Sequence, residues 1–314
     1  MNLRGIEFGP VLGAAGVQGF FGEGYRHHKF LKPFGLDFSN CTFVAKTTTL
    51  NARGGNMPMK KDGITSRELK PRCIKVYFRQ GMMLNAVGLS GPGAKALFET
   101  GRWQARTKPF FISFMSVEES AEKRVAELEE FVKMFAFYLP GFKAKVGLQI
   151  NYSCPNILGL NLSHLIGEVV IGLKIASSLR IPLMPKFNIL APPEAVEKIS
   201  NYPECDAVCL SNTLPWGKLP EEINWKKLFG SDVSPLAQFG GGGLSGRPLL
   251  GPAANWLKRA GNIAKPINGG GGILHPGDLD AFYYTYVRSI FIGSVATLRP
   301  WRVKKIIDRA YAIF

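Results

Sequence analysis

The run of residues best equipped for chemistry is Asn151, Tyr152, Ser153, Cys154, Pro155 and Asn156. Two carboxamides flank a thiol. A carboxamide both donates and accepts, so two of them can read a ring edge on which C=O and N–H groups alternate, as in a pyrimidine. A thiol between them can take a proton once its pKa is tuned and the site is closed to water. A cysteine taken at random is more often an inert core side chain, but these neighbours turn the reading toward catalysis. Glycine carries a second chemistry. Gly269 to Gly272 form an unbroken run after Asn268, and Gly293 with Ser294 make a later turn. Such turns let backbone N–H groups close on an anion. Neither has the GxGxxG context of a dinucleotide fold.

These residues need elements to hold them. Short apolar runs recur at 42–46, 110–114, 146–151, 183–187, 207–211, 266–268 and 289–293, each bounded by Gly, Pro, Asn or Ser and short enough for a strand. Helical patterns lie between them at 117–137, 164–178, 193–200, 248–259, 276–284 and 301–313. In the first of these, Ser116 with Glu119 fits a capping box, and Ala121, Val125, Leu128, Val132 and Phe135 form one apolar stripe. Strands alternating with helices predict parallel βαβ units, which a closed barrel and an open doubly wound sheet both satisfy. Lys46, Asn151, Lys186, Asn212 and both glycine turns fall at or just past the C-terminal ends of strands. A barrel gathers those ends on one face, and its last two loops often bind phosphate. The polar stretch 50–79 reads as an excursion over that face.

Composition narrows the class. The 314 residues are 46% hydrophobic and 20% charged, which is a globular balance. Lys and Arg number 39 against 23 Asp and Glu, a net charge of +16. The surplus is scattered in pairs and triplets such as Lys60 with Lys61, Lys226 with Lys227, and Arg302 with Lys304 and Lys305, without the block of a nucleic-acid arm. A basic, solvated surface is the expectation, with no nucleic-acid partner. Five cysteines (Cys41, Cys73, Cys154, Cys205, Cys209) show neither a disulfide framework nor a CxxC pair, so no metal site is expected. No apolar stretch approaches the length of a membrane helix, so no stable membrane insertion is expected and the chain reads as cytoplasmic.

The segment 151–156 resembles the catalytic loop of the dihydroorotate dehydrogenases, in the form of the soluble class 1 enzymes with Cys as base. Other motifs follow in the family's order: Gly13 to Val17, Lys46 to Leu50 with Arg53, Gly55 and Asn56, Leu84 to Leu89, Lys186, Ser211 to Thr213, and Gly243 to Pro248. The resemblance implies a single (β/α)8 TIM barrel over 1–314, with an excursion at about 50–80 and FMN at the C-terminal face of the strands. It implies dihydroorotate as substrate, oxidised to orotate in pyrimidine biosynthesis. Cys154 would remove the C5 proton while hydride passes from C6 to flavin N5, with Lys46 and Lys186 as further catalytic groups. Substrate would meet Lys46, Asn85, Val87, Gly88, Leu89, Asn151, Asn156, Asn212 and Thr213. FMN would meet Ala15, Gly16, Lys46, Thr47, Asn151, Lys186, Ser211, Gly246, Gly271, Gly272, Gly293 and Ser294.

The family suggests a homodimer, or a hetero-oligomer with an electron-transfer partner subunit, and leaves fumarate, NAD or a quinone open as acceptor. There are departures. Asn51 and Ala52 stand where the family carries charged residues, the flap 157–161 is poor in polar residues, and the aromatic, basic stretch 19–34 maps to nothing in the family. A relative acting on another dihydropyrimidine or enone, or a non-catalytic flavin electron-transfer subunit, are the competing expectations. Cys154 argues against the second, because an electron carrier needs no base.

Overall fold

The computed structural model describes residues 1–152, 162–261, 263–283 and 285–314. Seven parallel strands curl into one sheet: β1 (Val11–Gly13), β2 (Phe110–Phe114), β3 (Val146–Asn151), β4 (Leu183–Phe187), β5 (Val208–Leu210), β6 (Ile267–Gly269) and β7 (Val287–Ile292). Their spatial order is β1, β7, β6, β5, β4, β3, β2. Residues 42–48 bridge the two edges. Thr42 pairs with Leu12 of β1, and Val44 and Thr48 pair with Phe111 and Phe114 of β2, all in parallel. Hydrogen bonds run along both seams, from Gly13 N to Thr42 O (2.8 Å) and from Ala45 N to Phe111 O (2.9 Å). The sheet thus closes as an eight-staved barrel, the (β/α)8 TIM-barrel class expected.

Strand alternation divides the core. Val11, Phe43, Phe110, Ile112, Leu183, Val208 and Ile290 belong to a large cluster shared with the surrounding helices. Their strand neighbours Leu12, Val44, Phe111, Met184 and Cys209 form a separate cluster with Leu3 and Phe8. That division is the two-residue period of a closed sheet, one face outward to helices and one face inward. The N-terminal hairpin, Asn2–Leu3 against Ile6–Glu7, brings Leu3 and Phe8 to the inner cluster, where the Phe8 ring lies 4.4 Å from that of Phe111.

Helices α1 (Ala121–Tyr138), α2 (Leu162–Ala176), α3 (Pro193–Ser200), α4 (Leu250–Arg259) and α5 (Val303–Ile313) lie in the expected intervals. The start of α1 differs. Its N-cap is Ser120, whose Oγ accepts from Lys123 N at 3.3 Å. The box expected at Ser116 does not form, because the Glu127 carboxylate accepts from Ser116 Oγ and from Val117 N (3.1 Å) and holds both outside the helix. Leu128, Val132 and Phe135 are buried as the stripe requires. The excursion carries structure that its composition concealed. Ile74–Tyr77 and Met82–Asn85 form a hairpin, and Met82–Asn85 pairs on its other side with Gly243–Gly246, which pairs with Leu214–Pro215. Among the described residues no helix is long and apolar enough to cross a membrane.

Candidate active site

Not all inward positions are apolar. Ser113 on β2, Gln149 on β3, Asn268 on β6 and Ser289 on β7 are almost wholly buried. They satisfy one another. Ser113 Oγ lies 2.9 Å from Thr47 Oγ1 and donates to Gln149 Oε1 at 3.3 Å, while Asn268 Nδ2 donates to Ser289 Oγ at 2.9 Å. Buried polar groups without partners would be costly, so these groups are paired. Sequence reasoning missed these four. Their signal was present, as single polar residues at alternate places in otherwise apolar strands.

Strand register then brings Asn151, Lys186 and Cys209 side by side, Asn151 paired with Lys186 and Lys186 with Cys209. Lys186 is buried, and burial lowers its pKa, with Cys209 opposing the shift. The Cys209 thiol is pushed up to about 11 by the same burial, so it stays protonated at neutral pH.

The four-stranded cap sheet delivers the expected substrate residues. Asn212 Nδ2 donates to Asn151 Oδ1 at 3.4 Å. Thr213 follows, its N–H donating to Asn212 Oδ1 at 2.9 Å and its Oγ1 packed so close to Gly243 that no Cβ fits there. Asn85 Nδ2 donates to the Gly243 carbonyl at 3.4 Å. The loop beyond Asn85 is clamped by the excursion. Asn56 N donates to Val87 O (2.9 Å), Asn56 Nδ2 to Ala86 O (2.8 Å) and Arg53 Nε to Gly88 O (3.0 Å). Gly88 and Leu89 both take positive φ in that turn.

Lys46 lies 7% exposed, with Nζ donating to the Ser90 carbonyl and standing 4.4 Å from the centre of the Phe20 ring. Burial lowers its pKa to about 7, and Glu23 partly offsets the shift. The stretch 19–23, which matched nothing in sequence, builds this box. Trp103 Nε1 donates to Phe20 O at 2.6 Å, and the Glu23 carboxylate accepts from Phe20 N (3.1 Å) and Phe21 N (2.8 Å). The Phe20 ring face and the Glu23 carboxylate offset part of the cost of burying this cation.

The glycine turns converge beside it. A Cβ on Gly271 would stand 3.2 Å from Ser211 Oγ, and one on Gly272 would stand 2.5 Å from Leu250 N and 2.9 Å from Gly246 O. Both glycines have positive φ. A Cβ on Gly293 would stand 3.0 Å from Ala14 Cβ, next to Ala15 and Gly16, and Gly16 packs against Lys46. Ser294 opens the short helix Val295–Leu298. Gly246, Gly271 and Gly272 therefore let the backbone close up beside Ser211 and the start of α4, where helix N–H groups favour an anion. The residues present fit a flavin phosphate.

Cys154 and Asn156, with the flap 157–161, lie outside the described residues. On either side of that segment the chain is tied. Arg124 of α1 makes a bidentate pair with Glu168 of α2 (2.7 Å on both arms), both side chains 4% exposed, and Arg124 Nη1 also donates to Glu118 O at 3.1 Å. This buried link was not foreseen, since the two residues are far apart in sequence.

Residues 1–286 match the family model described as dihydroorotate dehydrogenase. The dihydroorotate dehydrogenase B (NAD(+)) catalytic subunit of Desulforudis audaxviator is 26% identical over 300 residues, covering 93% of this chain and 84% of that one. The subunit of the same name from Saccharolobus solfataricus is 30% identical over 220 residues, 68% of this chain and 61% of that one. In fold, the chain resembles the crystal structure of DHODH in complex with ferulenol from Eimeria tenella, with a TM-score of 0.69 at 18% identity, covering 99% of this chain and 83% of that one.

Proposed function

The chain belongs to the dihydroorotate dehydrogenase family, oxidoreductases acting on a CH–CH group, and we propose that it oxidises dihydroorotate to orotate, a step of pyrimidine biosynthesis, with FMN as its bound flavin. The observation that carries this reading is the linked set of Asn151, Asn212, Thr213 and Asn85 on the face that also holds Lys46, Lys186 and the glycine turns.

The carboxamides of Asn85, Asn151, Asn156 and Asn212, with Thr213, would pair with the C=O and N–H edges of the pyrimidine ring. The turn Val87, Gly88, Leu89 would hold the carboxylate end, with Lys46 supplying the opposite charge. Ser211, Gly246, Gly271, Gly272, Gly293 and Ser294 would hold the FMN phosphate, and Ala15, Gly16, Thr47 and Lys186 would flank its ring. When bound, FMN supplies the hydride acceptor. Lys186, kept from water, places positive charge where negative charge develops. Cys154 is the base that takes the proton from C5. The relatives are named as NAD-linked catalytic subunits, and we assign this chain the same place, as a homodimer passing electrons to NAD through a partner subunit. The five cysteines of this chain have no CxxC spacing with which to hold a cluster of their own.

Cys154→Ala tests the assignment. FMN and orotate should still bind, while reduction of the flavin by dihydroorotate in a single anaerobic turnover falls by at least roughly two orders of magnitude, the scale of general-base loss. Near-normal reduction in that variant would remove Cys154 as the base.

A further inference from the structure

The +16 charge is not spread evenly. Three stretches, 24–36, 69–79 and 299–307, hold eleven Lys and Arg, with the acids Glu23, Asp37, Glu68 and Asp308 just beyond their ends. The fold joins them. His27 Nε2 lies 3.4 Å from Thr297 Oγ1, a Cβ on Gly35 would stand 3.4 Å from Trp301 Cα, and Arg299 Nη2 donates to Phe78 O at 2.8 Å. Four large rings stand out of this joined face: Phe30 is 67% exposed, Phe34 70%, Phe78 57% and Trp301 52%. Around them lie the exposed side chains of Arg26, Lys29, Lys32 and Arg79. Of the eleven, Lys304 is engaged by Asp308, and Arg299 and Arg26 donate to backbone carbonyls.

We propose that this face docks the protein on an anionic phospholipid surface. Rings that protrude beside Lys and Arg are the chemistry of a membrane interface: the rings leave water at the headgroup boundary and the cations meet phosphate. A second copy of the chain fits poorly, because a two-fold contact through this face would set Lys and Arg against Lys and Arg. Nucleic acid fits less well for another reason. Stretches 24–36 and 299–307 contain no Ser, Thr, Asn or Gln. Nucleic-acid readers use such side chains on sugars and base edges. A lipid surface does not need them. The proposal does not depend on the catalytic reading, since its test requires no turnover.

The flavin-loaded protein is sedimented with vesicles of phosphatidylcholine alone and of phosphatidylcholine with phosphatidylglycerol, at low and high salt. It should pellet with the anionic vesicles at low salt and be released as salt screens the attraction. The triple variant F30S/F34S/W301S should bind at least roughly tenfold more weakly with an unchanged flavin spectrum. Lys29→Gln and Lys32→Gln, both at exposed positions, leave the fold intact and should each weaken binding roughly fivefold. Any of four results would overturn the proposal: no pelleting, equal pelleting with neutral vesicles, tighter binding to an oligonucleotide than to the vesicles, or loss of a dimer in the triple variant.

Discussion

Along β2 and β4 the barrel interior changes character within two residues. On β2 the inward residue passes from Phe111 to Ser113, and on β4 from Met184 to Lys186. The lower layer is apolar, packed by the N-terminal hairpin, and closed by rings. The upper layer is polar on β2 to β4, where Thr47, Ser113 and Gln149 bond to one another, while the buried Asn268–Ser289 pair lies lower, with Ser289 Oγ reaching Met1 Sδ at 3.2 Å. The same strands thus serve two ends. Burial below fixes where they stand, and the layer above forgoes that stabilisation to offer donors, acceptors and two buried lysines to a ligand.

The contrast can be broken from either side, and the largest effect lies below. Phe111→Ala removes a ring packed on Phe8 and Gly147 and should cost about 3–5 kcal/mol in urea denaturation, with the folded fraction keeping its flavin spectrum. A cost under about 1 kcal/mol would put the stabilising layer elsewhere. Lys186→Met should do the reverse. It removes a buried charge, so the flavin-free protein melts at the same or a higher temperature, while flavin reduction slows at least about tenfold. A variant that loses stability but keeps its rate would make Lys186 structural.

Gly272→Ala places a Cβ against Leu250 N at a positive φ. It should weaken FMN affinity roughly tenfold, measured by fluorescence on flavin release, and leave the lower layer untouched. Wild-type affinity would place the phosphate elsewhere.

The smallest effect is a pH dependence. Burial holds Lys46 at about 7, so in the ligand-free site its charge fades as pH rises through 7. An anion restores the charge and takes up a proton. Orotate affinity should therefore fall by up to about tenfold per pH unit above 7, with proton uptake on binding. Affinity that is flat from pH 6 to 9 would show that Lys46 keeps its charge unaided.

Much of the architecture was legible because it rests on local patterns. The strands 110–114, 146–151 and 183–187 appear with the expected bounds, since runs buried on both faces are mostly apolar and interrupted only by single polar residues. The lysines, the late Asn–Thr pair and the glycine turns fall together because all lie at the same ends of parallel strands. What could not be read depends on distant partners. Glu127 captures Ser116 from eleven residues away and moves the start of α1. Phe20 becomes the floor under Lys46 only because Trp103 and Glu23 fix its backbone. The cap sheet needs Gly243 beside Asn85, a pairing across 158 residues.

The most direct test is spectral. The purified protein is reconstituted with FMN, and dihydroorotate is added without oxygen. The account predicts a yellow protein that bleaches within the mixing time and regains its colour with an electron acceptor. A protein that takes up no FMN would contradict the flavin site, and a yellow protein that stays oxidised would contradict dihydroorotate as its substrate.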